Sequence, residues 1–210
     1  MKRFNLAIFL VLMFATAAAA AEQDLPWQIT TLPDGGSRVF GLTLGQSTLE
    51  EANAVFHAPP DVAMFETPGE PLSVEAYYGT VTLHGLSAKV VVELALPPKL
   101  LAAMRDRAVR RRATQNGVHK LTLVNEDLED MGDKPIASIT YIPSVNLDAN
   151  TIIARFGKPA ERVSVDPGTS YWLYPAKGLA VAVPDKGRKV LQYVAPRDFA
   201  RIRRMLTAQH

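Results

Sequence analysis

Residues 47–59 read STLEEANAVFHAP, and residues 147–159 read LDANTIIARFGKP. When the two stretches are aligned, Phe56 coincides with Phe156, and both stretches end in proline. Each carries apolar residues three, four or seven positions apart, which is the spacing of one face of an α-helix. The sequence therefore predicts two short amphipathic helices and, because the stretches match, an internal duplication.

Polar residues before each stretch indicate where these helices begin. Ser47 or Thr48 is expected to cap the first helix, and Ser144 or Asn146 the second. Gly157, directly after the apolar residues of the second predicted helix, is typical of a helix C-terminus.

Strand-sized apolar runs separated by turn residues follow each predicted helix. The runs are 62–66, 74–78, 80–86 and 89–96 in the first half, and 161–165, 169–174, 178–183 and 189–194 in the second. Apolar residues at helical spacing then follow Pro98 and Pro196. We therefore predict an α+β fold of two tandem repeats, each a helix, a four-stranded antiparallel meander and a helix. The segment between the repeats contains a predicted strand at 118–124 and an acidic loop.

The N-terminal residues are typical of a bacterial secretory signal peptide. Lys2 and Arg3 precede an apolar run over residues 6–14, and small residues fill positions 15–21. A retained N-terminal anchor helix is the alternative. The sequence thus predicts a signal peptide at 1–21, a first repeat at 22–116 and a second at 117–210. The predicted location is the periplasm, with the extracellular medium as the alternative.

The charge and cysteine counts exclude several classes of function. The chain has 23 Lys and Arg against 21 Asp and Glu, and removal of Lys2 and Arg3 leaves 21 against 21. A net charge of zero gives no support for nucleic-acid binding. The chain contains no cysteine, which excludes disulfides, thiol catalysis, thiolate metal sites and acylation of an N-terminal cysteine.

Two short motifs in the second half carry a family resemblance. They are Phe156-Gly157-Lys158-Pro159 at the end of the helix and Trp172-Leu173-Tyr174 in a following strand. They resemble the junction and sheet of the SmpA/OmlA (BamE-like) envelope domains, and two such units in tandem resemble the fold of β-lactamase inhibitory protein. The resemblance covers residues 39–96 and 139–195. It implies a role in envelope assembly or in inhibiting another protein.

Aromatic residues are concentrated on the second strands of both predicted meanders. They are Tyr77, Tyr78, Tyr171, Trp172 and Tyr174. Because strand side chains alternate, Tyr171 and Trp172 must point to opposite faces. If one face is core, the other exposes tyrosine or tryptophan, the residue types that dominate protein interfaces. The alternative is that both faces are packed.

Arginines form the clearest local charge feature. A basic run lies at the C-terminal end of the helix predicted after Pro98: Arg105, Arg107, Arg110, Arg111 and Arg112. Near the C-terminus of the chain the bias is repeated by Arg197, Arg201, Arg203 and Arg204. Cations at a helix C-terminus interact favourably with its dipole. The alternative interpretation is a surface for an anionic lipid headgroup or lipopolysaccharide.

Residues that could support catalysis or bind a metal are scattered along the sequence. The histidines His57, His84, His119 and His210 lack metal-ligand spacing, and the acidic run 125–133 does not fit the EF-hand pattern. An enzyme would need a dispersed site between the repeats, with His84, Glu93, Asp166 and Asp185 as candidates. No catalytic residue, metal or cofactor is predicted. The leading hypothesis is a non-catalytic module that binds another envelope protein, with anionic lipid as an alternative partner.

The exported chain is expected to begin at or within a residue or two of Glu22, because the alanine run that ends at Ala21 supplies a cleavage site. N-terminal sequencing of the exported protein checks this expectation. Retention of Met1 would contradict it.

Overall fold

The computed structural model describes residues 24–114 and 117–207. The predicted signal peptide and His210 lie outside these ranges. Within them, no helix has the length and apolar character needed to cross a membrane.

Ten antiparallel strands form one large sheet. They are β4 (Asp61–Glu66), β5 (Ser73–Leu83), β6 (Leu86–Leu94), β7 (Arg110–Ala113), β8 (His119–Thr122), β9 (Ile136–Pro143), β10 (Glu161–Asp166), β11 (Thr169–Tyr174), β12 (Leu179–Pro184) and β13 (Val190–Val194). Their order across the sheet is β10-β11-β12-β13-β9-β6-β5-β4-β8-β7. Strand β9 therefore lies between the strands of the two halves of the chain.

Five short helices accompany the sheet: α1 (Leu49–Phe56), α2 (Pro98–Arg107), α3 (Asn125–Glu129), α4 (Ala149–Phe156) and α5 (Ala200–Thr207). Thr48 caps α1 as predicted, since its hydroxyl accepts a hydrogen bond from the amide of Glu51. Asp148 caps α4 in place of the predicted Ser144 or Asn146, because its carboxylate accepts from the amide of Thr151 at 2.6 Å.

The predicted fold of two tandem helix, four-stranded meander and helix repeats is wrong. The molecule is mostly β, with one ten-stranded sheet shared by both halves. Two predicted strands of the first half merge into β5, because Gly79 at a φ of 66° forms an irregularity in the β5–β6 register rather than a turn. Strand β9, which the sequence analysis did not predict, pairs with β6 on one side and β13 on the other.

A small three-stranded sheet near the N-terminus packs on the large one. It consists of β1 (Thr30–Thr31), β2 (Ser37–Val39) and β3 (Leu42–Thr43). Phe40, which follows β2, is 1% exposed. Its ring stacks on Tyr141 at 5.3 Å between centroids and meets the edges of Tyr193 and Phe56 at 5.6 and 6.2 Å. One aromatic side chain thus joins the N-terminal segment to α1, β9 and β13.

The two faces of the large sheet are covered unequally. On one face, the register aligns Ala76, Val92, Ile139, Tyr193, Leu179 and Tyr174, all of them in the larger hydrophobic core with residues of α1, α2 and α4. On the opposite face, Phe199 and the α5 residues Ile202 and Leu206 form a smaller core with Leu173, Ala180 and Val194 of the second half. The central strands of this second face carry no helix from the described residues.

Candidate functional site

The uncovered part of the second face is the candidate site. One register row across it contains Asp61, Tyr77, Val91, Thr140 and Gln192, and the next contains Ala63, Glu75, Glu93 and Ser138. We call these nine residues the open sheet face; Ala63 and Ser138 are buried beneath their neighbours on it. The rows continue to Ala180 and Val194, which belong to the core under α5. Helix α5 therefore forms one wall of the open sheet face.

Glu93 is the centre of a polar network at this wall. Its two carboxylate oxygens accept hydrogen bonds from the Arg201 guanidinium of α5 at 2.8 and 2.9 Å. The Ser138 hydroxyl donates to the same carboxylate at 2.8 Å. Bidentate pairing fixes both the distance and the orientation of the two groups. The network therefore fixes the position of α5 against β6 and β9.

Glu75 is the cross-strand partner of Glu93. Burial raises the pKa of the Glu75 carboxyl above its ordinary value, and the Glu93 and Glu70 carboxylates raise this pKa further. The Ser73 hydroxyl, which donates to Glu75 at 3.4 Å, acts in the opposite direction. Glu75 is thus a half-buried acid that a nearby cation would stabilise in its charged form.

Tyr77 is a large, partly apolar side chain of this site, and it is 40% exposed. It lies beside Phe65 and Val91 in a depression of about 240 Å³, at whose rim Lys120 pairs with Asp61 at 2.8 Å. A second depression, of about 430 Å³, extends from Glu75 to α5 and the 69–73 loop. The site is therefore a surface with two depressions, an exposed aromatic side chain and charged groups at its rim.

The other predicted aromatic residues do not form this surface. Tyr78, Trp172 and Tyr174 are 6%, 6% and 4% exposed and belong to the larger core. The Tyr78 hydroxyl donates to Asn53 at 2.7 Å, and burial raises the pKa of Tyr78 far above its ordinary value. Tyr171 is half-buried against the core under α5. On this strand the alternative of two packed faces is the one observed, because α5 covers one face and the larger core the other.

The arginine run is not one helical surface. Helix α2 ends at Arg107, and Arg110, Arg111 and Arg112 lie on β7, an edge strand of the sheet. Arg105 pairs with Asp106 next to it, and Arg111 pairs with Glu66. Charged side chains on an edge strand discourage pairing with another chain. The expectation that these arginines lie at a helix C-terminus is therefore wrong for Arg110, Arg111 and Arg112, whereas Arg105 and Arg107 lie in the last turn of α2.

The four residues proposed for a dispersed enzyme site are not assembled. His84 lies in the turn before β6, whereas Glu93 lies near the other end of that strand. Asp166 lies at the end of β10, before the turn to β11, and Asp185 follows β12. The Asp166 carboxylate accepts a hydrogen bond from the amide of Gly168 at 2.7 Å. Within residues 24–114 and 117–207, no group of three or more acidic or histidine side chains could hold a metal ion.

No family model matches this chain, and neither a curated protein nor a solved structure matches it. The resemblance to BamE-like domains therefore stays a prediction.

Sequence reasoning named Glu93 and Arg201 separately and missed Glu75. The pairing of Glu93 with Arg201 joins residues 108 positions apart, so no local pattern indicates it. The signal for Glu75 was present, since it alternates with the buried residues Val74 and Ala76 along β5. That alternation places a carboxyl group on the face opposite the core.

Replacing Glu75 by glutamine is expected to stabilise the fold at pH 7. Because the folded-state pKa of Glu75 lies above the unfolded one, stability is lost as the pH rises from the unfolded pKa through the folded pKa. Glu75→Gln removes that loss, so urea unfolding should show a higher free energy of unfolding at pH 7, and the difference should disappear near pH 3. The exposed Glu129→Gln is the matched control. Equal destabilisation by Glu75→Gln at both pH values would contradict the expectation.

Proposed function

We propose that this protein is a non-catalytic binding protein of the bacterial cell envelope that holds a partner protein on its open sheet face. The predicted signal peptide supports a periplasmic location, with the extracellular medium as the alternative. The observation that carries the proposal is the uncovered centre of a sheet whose opposite face carries the larger hydrophobic core.

The open sheet face has the anatomy of a protein interface. Tyr77 is an exposed aromatic residue surrounded by Phe65 and Val91, and depressions with polar rims flank it. Aromatic anchors with such surroundings carry most of the affinity in protein complexes. Because β5 is paired on both sides, its backbone is already fixed, and little backbone entropy is lost on binding.

The charges of the face select the chemistry of the partner. Asp61 is matched by Lys120, and Glu93 by Arg201. Glu75 has no cation of its own among the described residues, and Glu70 and Glu93 add to its negative surroundings. A lysine or arginine of the partner beside Glu75 would balance this charge. The proposed partner surface therefore presents a cationic side chain next to apolar ones.

Binding of an anionic lipid through the arginines is the second candidate. It is favoured by Arg110 and Arg112, which are exposed on β7. Most of the other arginines contribute less, because they already form ion pairs: Arg107 with Asp127, Arg111 with Glu66, Arg201 with Glu93 and Arg203 with Glu161. The open sheet face is therefore the better supported surface.

Site-specific photo-crosslinking in intact cells tests the proposal. A photoreactive phenylalanine analogue at Tyr77 is expected to form a covalent adduct with one protein, which mass spectrometry identifies. The same analogue at Val109, which is 66% exposed on another part of the surface, is the matched control. With the purified partner, Tyr77→Ala should weaken binding by about 2 kcal/mol and leave the melting temperature nearly unchanged.

A second variant addresses the charge of the site. Glu75→Lys should abolish the Tyr77 adduct, because it places a cation where the partner's own cation would lie. Equal crosslinking from Tyr77 and Val109, or no protein adduct from Tyr77, would contradict the proposal. Adducts with lipid alone would favour the second candidate.

A further inference from the structure

An apolar cavity of about 310 Å³ lies on the opposite side of the sheet from the open sheet face. Its walls come from the N-terminal segment, the β5–β6 turn, the end of β9, the 144–147 loop and α4. The lining is almost entirely apolar and includes Trp27, Leu86, Tyr141, Leu147, Ile152 and Phe156. Cavities that bind small molecules are of this kind and start at about 300 Å³.

Hydrogen bonds hold the walls of this cavity in place. The buried Tyr193 hydroxyl donates to the carbonyl of Pro26 at 2.9 Å, which fixes the chain before Trp27. The amide of Ser144 donates to the carbonyl of Ser87 at 2.8 Å and joins the loop to the β5–β6 turn. These contacts join segments far apart in the sequence. The cavity is therefore formed before any ligand binds.

Among the residues that the structure describes, one charged side chain lines the cavity. The Arg155 guanidinium lies 4.1 Å from the centre of the Trp27 ring. In the part of the chain that the structure describes, Arg155 forms no ion pair, unlike Arg201 and Arg203. Thr151, one turn earlier on α4, also lines the cavity, but its side chain is already hydrogen-bonded to the Asp148 carboxylate. An apolar interior is thus combined with an unmatched cation.

We propose that this cavity binds a single-chain amphiphile with an anionic head group. The apolar walls would surround the chain, and Arg155 would bind the head group. Arginine suits this role because its charge is permanent and its donors match a carboxylate or phosphate. The proposal is independent of the open sheet face, because the two sites lie on opposite sides of the sheet.

Calorimetric titration of the purified protein, with the N-terminus that it carries in its own cells, tests the proposal. The probes are decanoate, octanoate and 1-decanol, each below its aggregation concentration. Decanoate is expected to bind in a 1:1 complex. Octanoate should bind about 15-fold more weakly, because each methylene group contributes about fourfold. Decanol should bind about tenfold more weakly than decanoate, since it lacks the charge that Arg155 binds.

Two variants locate the binding. Arg155→Gln should weaken the binding of decanoate about tenfold and leave the affinity for decanol unchanged. Arg162→Gln is the matched control, because Arg162 also lies 4.1 Å from a tryptophan ring, that of Trp172, but does not line the cavity. Leu147→Trp fills the cavity and should abolish decanoate binding, with thermal melting showing that the fold is kept. The proposal would be overturned if decanoate did not bind, or if decanol bound as tightly as decanoate. It would also be overturned if Arg155→Gln or a folded Leu147→Trp bound decanoate as tightly as the unchanged protein does.

Discussion

Strand β9 holds the two halves of the chain in one sheet, because its two edges are hydrogen-bonded to β6 and to β13. Ile139 of β9 lies between Val92 and Tyr193 in a register row that runs through the larger core. Phe40 packs over this junction on Tyr141 and Tyr193. The burial of apolar surface on this face depends on strands from both halves, so neither half can keep its core without β9.

The unequal covering of the sheet follows from this arrangement. Helices α1, α2 and α4 contribute to the core on one face, whereas on the other face Phe199 and α5 cover part of the sheet. The pair of Glu93 and Arg201 fixes where α5 stops covering the sheet. The open sheet face begins there, and the apolar cavity lies on the other side. The fold therefore separates a surface that suits a protein partner from an apolar cavity on the other side of the sheet.

Local patterns predicted the local elements and missed their arrangement. Apolar spacing indicated α1 and α4, and turn residues separated β10 to β13 close to their observed bounds. The match of Phe56 with Phe156 also reflects a shared environment, since Phe56 packs on Tyr78 and Phe156 on Tyr174. Strand pairing could not be predicted in this way, because β9 pairs with residues about 45 positions away. The duplication hypothesis also assigned each half its own sheet. It therefore left no place for β9, a strand that pairs with both halves.

Differential scanning calorimetry of the protein and of Phe56→Ala and Phe156→Ala tests most directly whether β9 makes the halves one cooperative unit. Each truncation is expected to cost about 3–5 kcal/mol, because both rings are buried. If β9 joins the halves, each protein shows one transition whose calorimetric and van't Hoff enthalpies agree, and both variants lower that same transition. Two transitions, with Phe56→Ala shifting one and Phe156→Ala shifting the other, would contradict the account.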